Sequence, residues 1–275
     1  MAKTLFIGDS HTCGYKTVPG KVGQDSFTIW NENSYAESYA EQNNKECIIY
    51  ALPGANNTAY CDWLVSMFKK HPDIDEVFLL QASLNRFTLG MSQEFDFSGI
   101  SSDHFTYYIG KNENGLVDRY TDNIISDDNR LQLYQKPTED DYNTFPGVSF
   151  SHEHGLKNPD LRKHTYMQVK TFFELNSHIE QRDYYRSVYT WDNICADNNA
   201  KLYVFHMRDR LQFPKDVEYY GPLKSTKFSE TSVEGFFAKR NIDHSKYFIE
   251  DQEHYNKDFH NLIAEKFLKH LTKPK

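Results

Sequence analysis

Thr4-Leu5-Phe6-Ile7-Gly8-Asp9-Ser10 is the stretch on which the fold turns. Thr4 and the three apolar residues after it read as a short buried strand, and the Gly-Asp-Ser that follows breaks it. The same grammar recurs downstream. Ser34-x-x-Glu37 has capping-box form and predicts a helix to about Asn43, with Tyr35 and Tyr39 one turn apart. Cys47–Ala51 predicts a second buried strand, stopped by Pro53-Gly54. A helix from about Asn57 to Lys70 follows, with Tyr60, Leu64, Met67 and Phe68 on one face. Glu76 to Leu80 predicts a third strand. Strand, helix, strand, helix, strand in this order implies a parallel sheet with crossover helices.

The alternation then stops. From about Thr88 to His164 the chain is polar and broken by Gly, Pro and Asx residues, with β-like runs at Phe105 to Ile109 and Leu131 to Tyr134. That is too long for a structureless loop in a compact domain, so residues 88–164 are expected to form an inserted cap or subdomain. A long helical segment is predicted over Tyr166 to Asn198, and a fourth strand over Lys201 to Phe205. Arg208 to Lys246 reads as irregular. A last helix runs from about Asn256 to Leu271, where Phe259, Leu262, Ile263 and Phe267 share a face. The expectation is one α/β domain over residues 1–275, interrupted once.

Ligands of an open parallel sheet bind beyond the carboxyl ends of the strands. Three polar turns fall there: Gly8 to Thr12, Pro53 to Asn57, and Ser83 to Arg86. A serine on such a turn lies near backbone amides and suits nucleophilic attack when a base reaches it. Asp251-Gln252-Glu253-His254, just before the last helix, offers that base. The three-residue offset lets the carboxylate turn onto Nδ1, leaving Nε2 to take the serine proton. Alone, such a pair in a chain with 12 histidines is weak.

Taken together these blocks resemble the SGNH (GDSL-like) hydrolase family. Gly8-Asp9-Ser10 resembles its first block, Gly54 its second, and Asp251 to His254 with Asn256, His260 and Ile263-Ala264 its last. Ser83-Leu84-Asn85-Arg86 matches the third block only in part: serine replaces its glycine and Arg86 its aspartate. The likeness covers the α/β core and not the insertion. It implies a three-layer, flavodoxin-like parallel sheet flanked by helices. It also implies Ser10 as nucleophile, His254 as general base and Asp251 as its partner. The implied oxyanion hole is the amides of Ser10 and Gly54 with the Asn85 side chain. The activity implied is cleavage of an ester-linked acyl group, as an esterase or deacetylase. An O-acyltransferase with the same triad, or a non-catalytic binding or assembly protein, are the alternatives.

Bulk properties narrow the partners. Asp and Glu outnumber Lys and Arg by 39 to 31 and no basic run occurs, which argues against a phosphate backbone. No apolar run approaches the roughly 20 residues of a membrane span. Neither nucleic acid nor membrane is expected as a partner. Cys13, Cys47, Cys61 and Cys195 show no CxxC spacing, and no signal peptide is evident, so a reduced cytoplasmic protein is expected. The expected ligand is a small-molecule or sugar-borne acyl ester, with no cofactor. His152 and His154 share a strand-like face but lack a third spaced ligand, so no metal is expected. Gly110 to Gly115 lacks a phosphate-loop lysine. Cys13 reads as small buried cysteine rather than a rival nucleophile. His11 either lines the site or begins the next segment, and Arg86 meets either an acidic substrate group or a neighbouring carboxylate. Phe172, Phe173, Tyr184, Tyr185, Tyr189 and Trp191 shape the pocket or a homo-oligomer surface.

Overall fold

Every second residue of the first strand serves a different layer of the molecule. In β1 (Lys3–Gly8), Phe6 joins one apolar cluster while Leu5 and Ile7 join another on the opposite face. That is why the strand reads as a continuous apolar run rather than an alternation. The computed structural model describes residues 2–13, 15–17, 27–29, 34–51, 55, 57, 59–82, 86–90, 110–111, 117–120, 131–135, 171, 179–208, 221–249 and 254–273.

Following β1 are the single turn α1 (Ser10–Cys13) and the antiparallel pair β2 (Tyr15–Thr17) and β3 (Phe27–Ile29). Then come α2 (Tyr35–Asn43), β4 (Cys47–Ala51), α3 (Ala59–Lys70) and β5 (Ile74–Leu80). β6 (Arg86–Gly90), β7 (Gly110–Lys111), β8 (Val117–Tyr120) and β9 (Leu131–Gln135) lie within or beside the insertion. The core resumes with α4 (Ile179–Asp197), β10 (Lys201–Phe205), β11 (Thr226–Phe228) and α5 (Val233–Ala238). The terminal helix comprises α6 (Lys257–Leu262), a π-helical stretch at Ile263–Leu268 and a last turn at Lys269–Thr272.

The main sheet has the order β11-β10-β5-β1-β4-β8-β7. All pairings are parallel except β7 with β8. The core strands β1, β4, β5, β10 and β11, counted in chain order, lie as 2-1-3-4-5, the flavodoxin-like arrangement. Helices cover both faces. Tyr35 and Tyr39 of α2 share one cluster with Phe259, Ile263 and Phe267 of the terminal helix. Tyr60, Trp63, Leu64 and Met67 of α3 share the other with Tyr184, Val188, Trp191 and Cys195 of α4. The fold is therefore a three-layer α/β sandwich. Tyr184, Tyr185 and Trp191 are core residues, whereas Phe172 and Phe173 lie outside the described residues.

Local signals act where their chemistry predicts. Ser34 caps α2 by accepting from the Glu37 amide (3.2 Å), and Asn44 ends the helix in the left-handed region at φ 47°. Asn256 caps the terminal helix through Phe259 N (3.2 Å). The segment expected to be irregular, Arg208 to Lys246, is a correction. It holds a fifth parallel strand, β11, and the helix α5, capped by Ser232 through Gly235 N (2.9 Å). Three half-buried residues, Thr-Lys-Phe, carry no periodicity to detect, and α5 is only six residues long. Much of its anchoring is tertiary. Asp192 of α4, 2% exposed, accepts from the amides of Lys224 (2.8 Å), Ser225 (2.9 Å) and Thr226 (2.9 Å) and so holds β11 against the sheet.

Of the predicted insertion, β7 and β8 extend the main sheet beyond β4, and β6 pairs antiparallel with β9. The β-like run Phe105 to Ile109, and most of Tyr166 to Ile179, lie outside the described residues.

Candidate active site

The turn after β1 is built by Asp9. Its carbonyl accepts from the amides of Thr12 (2.9 Å) and Cys13 (3.1 Å), and its Oδ1 accepts from His11 N (3.1 Å). This Asx-type cap starts α1 immediately and sets Ser10 as its first residue. Gly8 is dictated by the same turn. A Cβ there would stand 1.9 Å from Thr12 Oγ1 and 3.0 Å from Leu80 Cβ, so no side chain fits. Thr12 Oγ1 lies 2.6 Å from Tyr35 OH, tying α1 to α2.

The opposite end of the chain arrives through the terminal helix. Tyr35 N donates to His260 Nδ1 (3.2 Å), so α2 touches both the Ser10 turn and the helix that follows His254. Burial, with His11 and His254 adding to it, pushes the His260 imidazole down to about 3, so it stays neutral and can accept. Just upstream, Phe248 and Tyr255 form an antiparallel bridge, and the flanking bonds Ile249 N to His254 O and Asn256 N to Tyr247 O are both 2.9 Å.

The consequence is one short contact: His254 Nε2 lies 2.9 Å from Ser10 Oγ. Ser10 is recessed at 7% exposure, and His254 is half-buried. His11, the next residue in α1, sets its ring 4.9 Å from that of His254, so His11 borders the pair. His206 is placed differently. It is buried, with Nδ1 2.6 Å from the carbonyl of Arg208.

Asp251, Gly54, Asn85 and Ser83 lie outside the described residues, as do His152 and His154. Arg86 opens β6. Among the described residues no cluster of His, Cys, Asp or Glu is arranged to hold a metal ion, and no helix is long and apolar enough to cross a membrane. None of the four cysteines is in a disulfide, and Cys13 is buried.

Two supports of the rim were not legible in the sequence. Asn57 is buried, donates from Nδ2 to Ala82 O (3.1 Å) and accepts at Oδ1 from Ala82 N (3.0 Å). One amide thus links the chain after β4 to the chain after β5. Tyr255 OH donates to Glu234 Oε1, which also accepts from Arg208 Nε (3.2 Å). Burial, then the Glu234 carboxylate, pushes the Tyr255 phenol above its ordinary range and keeps it a donor. Nothing in an Asn among polar turn residues, or a Tyr after a His, marks either role.

No family model matches the chain, and no curated protein matches it. Among solved structures it is similar to one described as "The active site of a carbohydrate esterase displays divergent catalytic and non-catalytic binding functions". The TM-score is 0.40 at 13% identity. The match covers 100% of this chain and 65% of the other, so the chain spans about two thirds of that protein's length.

Proposed function

We propose that this chain is an SGNH-type serine hydrolase that cleaves an ester-linked acyl group from a small molecule or a sugar. The observation that carries the reading is the 2.9 Å contact between Ser10 Oγ and His254 Nε2 at the carboxyl rim of a parallel sheet. A serine hydroxyl is a weak nucleophile, and a neutral imidazole in line with its proton is what activates it. His254 takes the Oγ proton as Ser10 attacks the acyl carbonyl, then returns it to the departing alkoxide. Water, deprotonated by the same nitrogen, attacks the acyl-enzyme and releases the acid, and His254 returns that proton to the departing Ser10 Oγ. Asp251 is proposed to hold the Nδ1 proton and stabilise the imidazolium.

Negative charge reaches the carbonyl oxygen only in the transition state. The Ser10 amide, the Gly54 amide and the Asn85 side chain are the proposed donors there, and losing one such donor typically costs about a hundredfold or more. Support for Ser10 comes from its place at the start of α1, where the first amides of a helical turn lack partners within it.

The test is turnover of acetyl and butyryl esters, sugar-linked ones included, together with labelling by a serine-reactive phosphonate. Turnover with a single adduct on Ser10 is expected. Absence of both would overturn the reading in favour of a binding protein. Product analysis with an added alcohol acceptor separates hydrolysis from acyl transfer.

A further inference from the structure

We infer that Glu234 and Tyr255 form a positioning pair that holds His254 at hydrogen-bonding distance from Ser10; the catalytic meaning of this inference rests on the proposed hydrolase reading. The His254 ring keeps a 2.9 Å contact across the gap to Ser10 of α1. Its carbonyl accepts from Ile249 N at 2.9 Å. The next residue, Tyr255, supplies a further anchor.

Tyr255 is fully buried, its ring 4.8 Å from Phe248 and 4.3 Å from Phe259, centroid to centroid. Ring packing alone fixes a plane but permits sliding within it. The hydroxyl bond to Glu234 Oε1 removes that freedom, because it fixes the far end of the ring against a different element. Glu234 is itself fixed. It lies in the first turn of α5, its amide donates to Met207 O (3.0 Å), and its Oε1 receives Arg208 Nε at 3.2 Å. His244 Nε2 stands 3.7 Å from its other oxygen. The line from the β10 rim through Arg208, Glu234 and Tyr255 therefore ends one peptide from His254. A tyrosine displaced along its ring plane would carry the His254 backbone with it. Misplacement by about 1 Å costs on the order of a hundredfold in rate, because the proton acceptor leaves the nucleophile's line.

The experiment is a double-mutant cycle on the full chain with Tyr255→Phe, Glu234→Ala and both together, alongside Glu234→Gln. Tyr255→Phe keeps the packed ring and loses one oxygen. We expect each single variant to lower kcat about 10- to 100-fold with KM within about twofold. The double variant should fall no further than the worse single one. Glu234→Gln, whose amide oxygen still accepts from the phenol, should recover most of kcat. Additive losses, equal losses in Glu234→Gln and Glu234→Ala, or an unchanged kcat in Tyr255→Phe would each overturn the pair.

A second readout is independent of activity and of folding yield in the assay: a crystal structure of Tyr255→Phe. His254 Nε2 should withdraw beyond hydrogen-bonding distance of Ser10 Oγ, and an unchanged separation would overturn the inference. If the unsubstituted protein turns over no ester, the hydrolase reading fails, and the positioning claim is then decided by that geometry alone.

Discussion

Ser10 Oγ and His254 Nε2 lie 2.9 Å apart although 244 positions separate them in the chain. The contact exists because α2 is gripped from both sides, by Thr12 at the Ser10 turn and by His260 on the terminal helix. Removing either reacting atom should therefore abolish chemistry without loosening the fold. Ser10→Ala is expected to lower ester turnover about 10⁴-fold or more and to lose phosphonate labelling, while its melting midpoint stays within a few degrees of the parent. His254→Ala should lose turnover comparably. Near-parental turnover by Ser10→Ala would place the nucleophile elsewhere.

Gly8 is the residue the turn tolerates least. A methyl group there collides with Thr12 Oγ1 at 1.9 Å, and Thr12 is buried with its hydroxyl committed to Tyr35. Gly8→Ala should destabilise the chain by about 1–3 kcal/mol and lower activity by displacing Ser10. Adding Thr12→Ala should recover only part of the stability, since Thr12 Cβ at 2.9 Å and Leu80 Cβ at 3.0 Å remain in the way. Urea unfolding of the single and double variants measures both effects.

Asp192 serves stability rather than chemistry. Burial alone would raise its pKa, but amide bonds from Lys224 and Ser225 and hydroxyl bonds from Thr226 and Ser225 outweigh it, so the carboxyl sits below its ordinary value. A lowered folded value means the stabilisation is fully present above the unfolded carboxylate pKa and is lost as pH falls through the folded one. Asp192→Ala leaves three amide donors without their acceptor, and a loss of about 3 kcal/mol is expected at neutral pH. Denaturant midpoints compared at neutral and acidic pH should show the gap between variant and parent narrowing in acid. A gap that stays constant would assign the loss to packing instead.

His260 gives stability a second pH dependence, centred higher. Its folded value is about 3 against an ordinary 6.5. The unfolded chain therefore takes up a proton first as acid is added. Stability is whole above pH about 6.5 and declines as pH falls toward about 3, by on the order of 5 kcal/mol in total. His260→Gln, which keeps an acceptor for Tyr35 N, should flatten the dependence across this window. Unfolding free energies measured from pH 7 to pH 4 test it, and an equal slope in variant and parent would assign the dependence to other groups.

The order of elements and their chemistry were local properties and could be read as such. Thr4 to Ser10 identifies a buried strand ending in a turn, because a short apolar run and a Gly-Asp-Ser break need no distant partner to be recognised. The capping by Ser34 and Asn256 is equally local, since the bonds involved span three residues. Strand order, by contrast, belongs to the tertiary structure. So does β11, which pairs with β10 where Asp192, more than thirty positions away, accepts from the amides of Ser225 and Thr226 at the start of the strand. The meeting of Ser10 with His254 was open to proposal from motif order, but its distance depends on Tyr35, His260, Tyr255 and Glu234. Their partners lie on other elements, and no spacing along the chain encodes an approach made only when helices dock on a sheet.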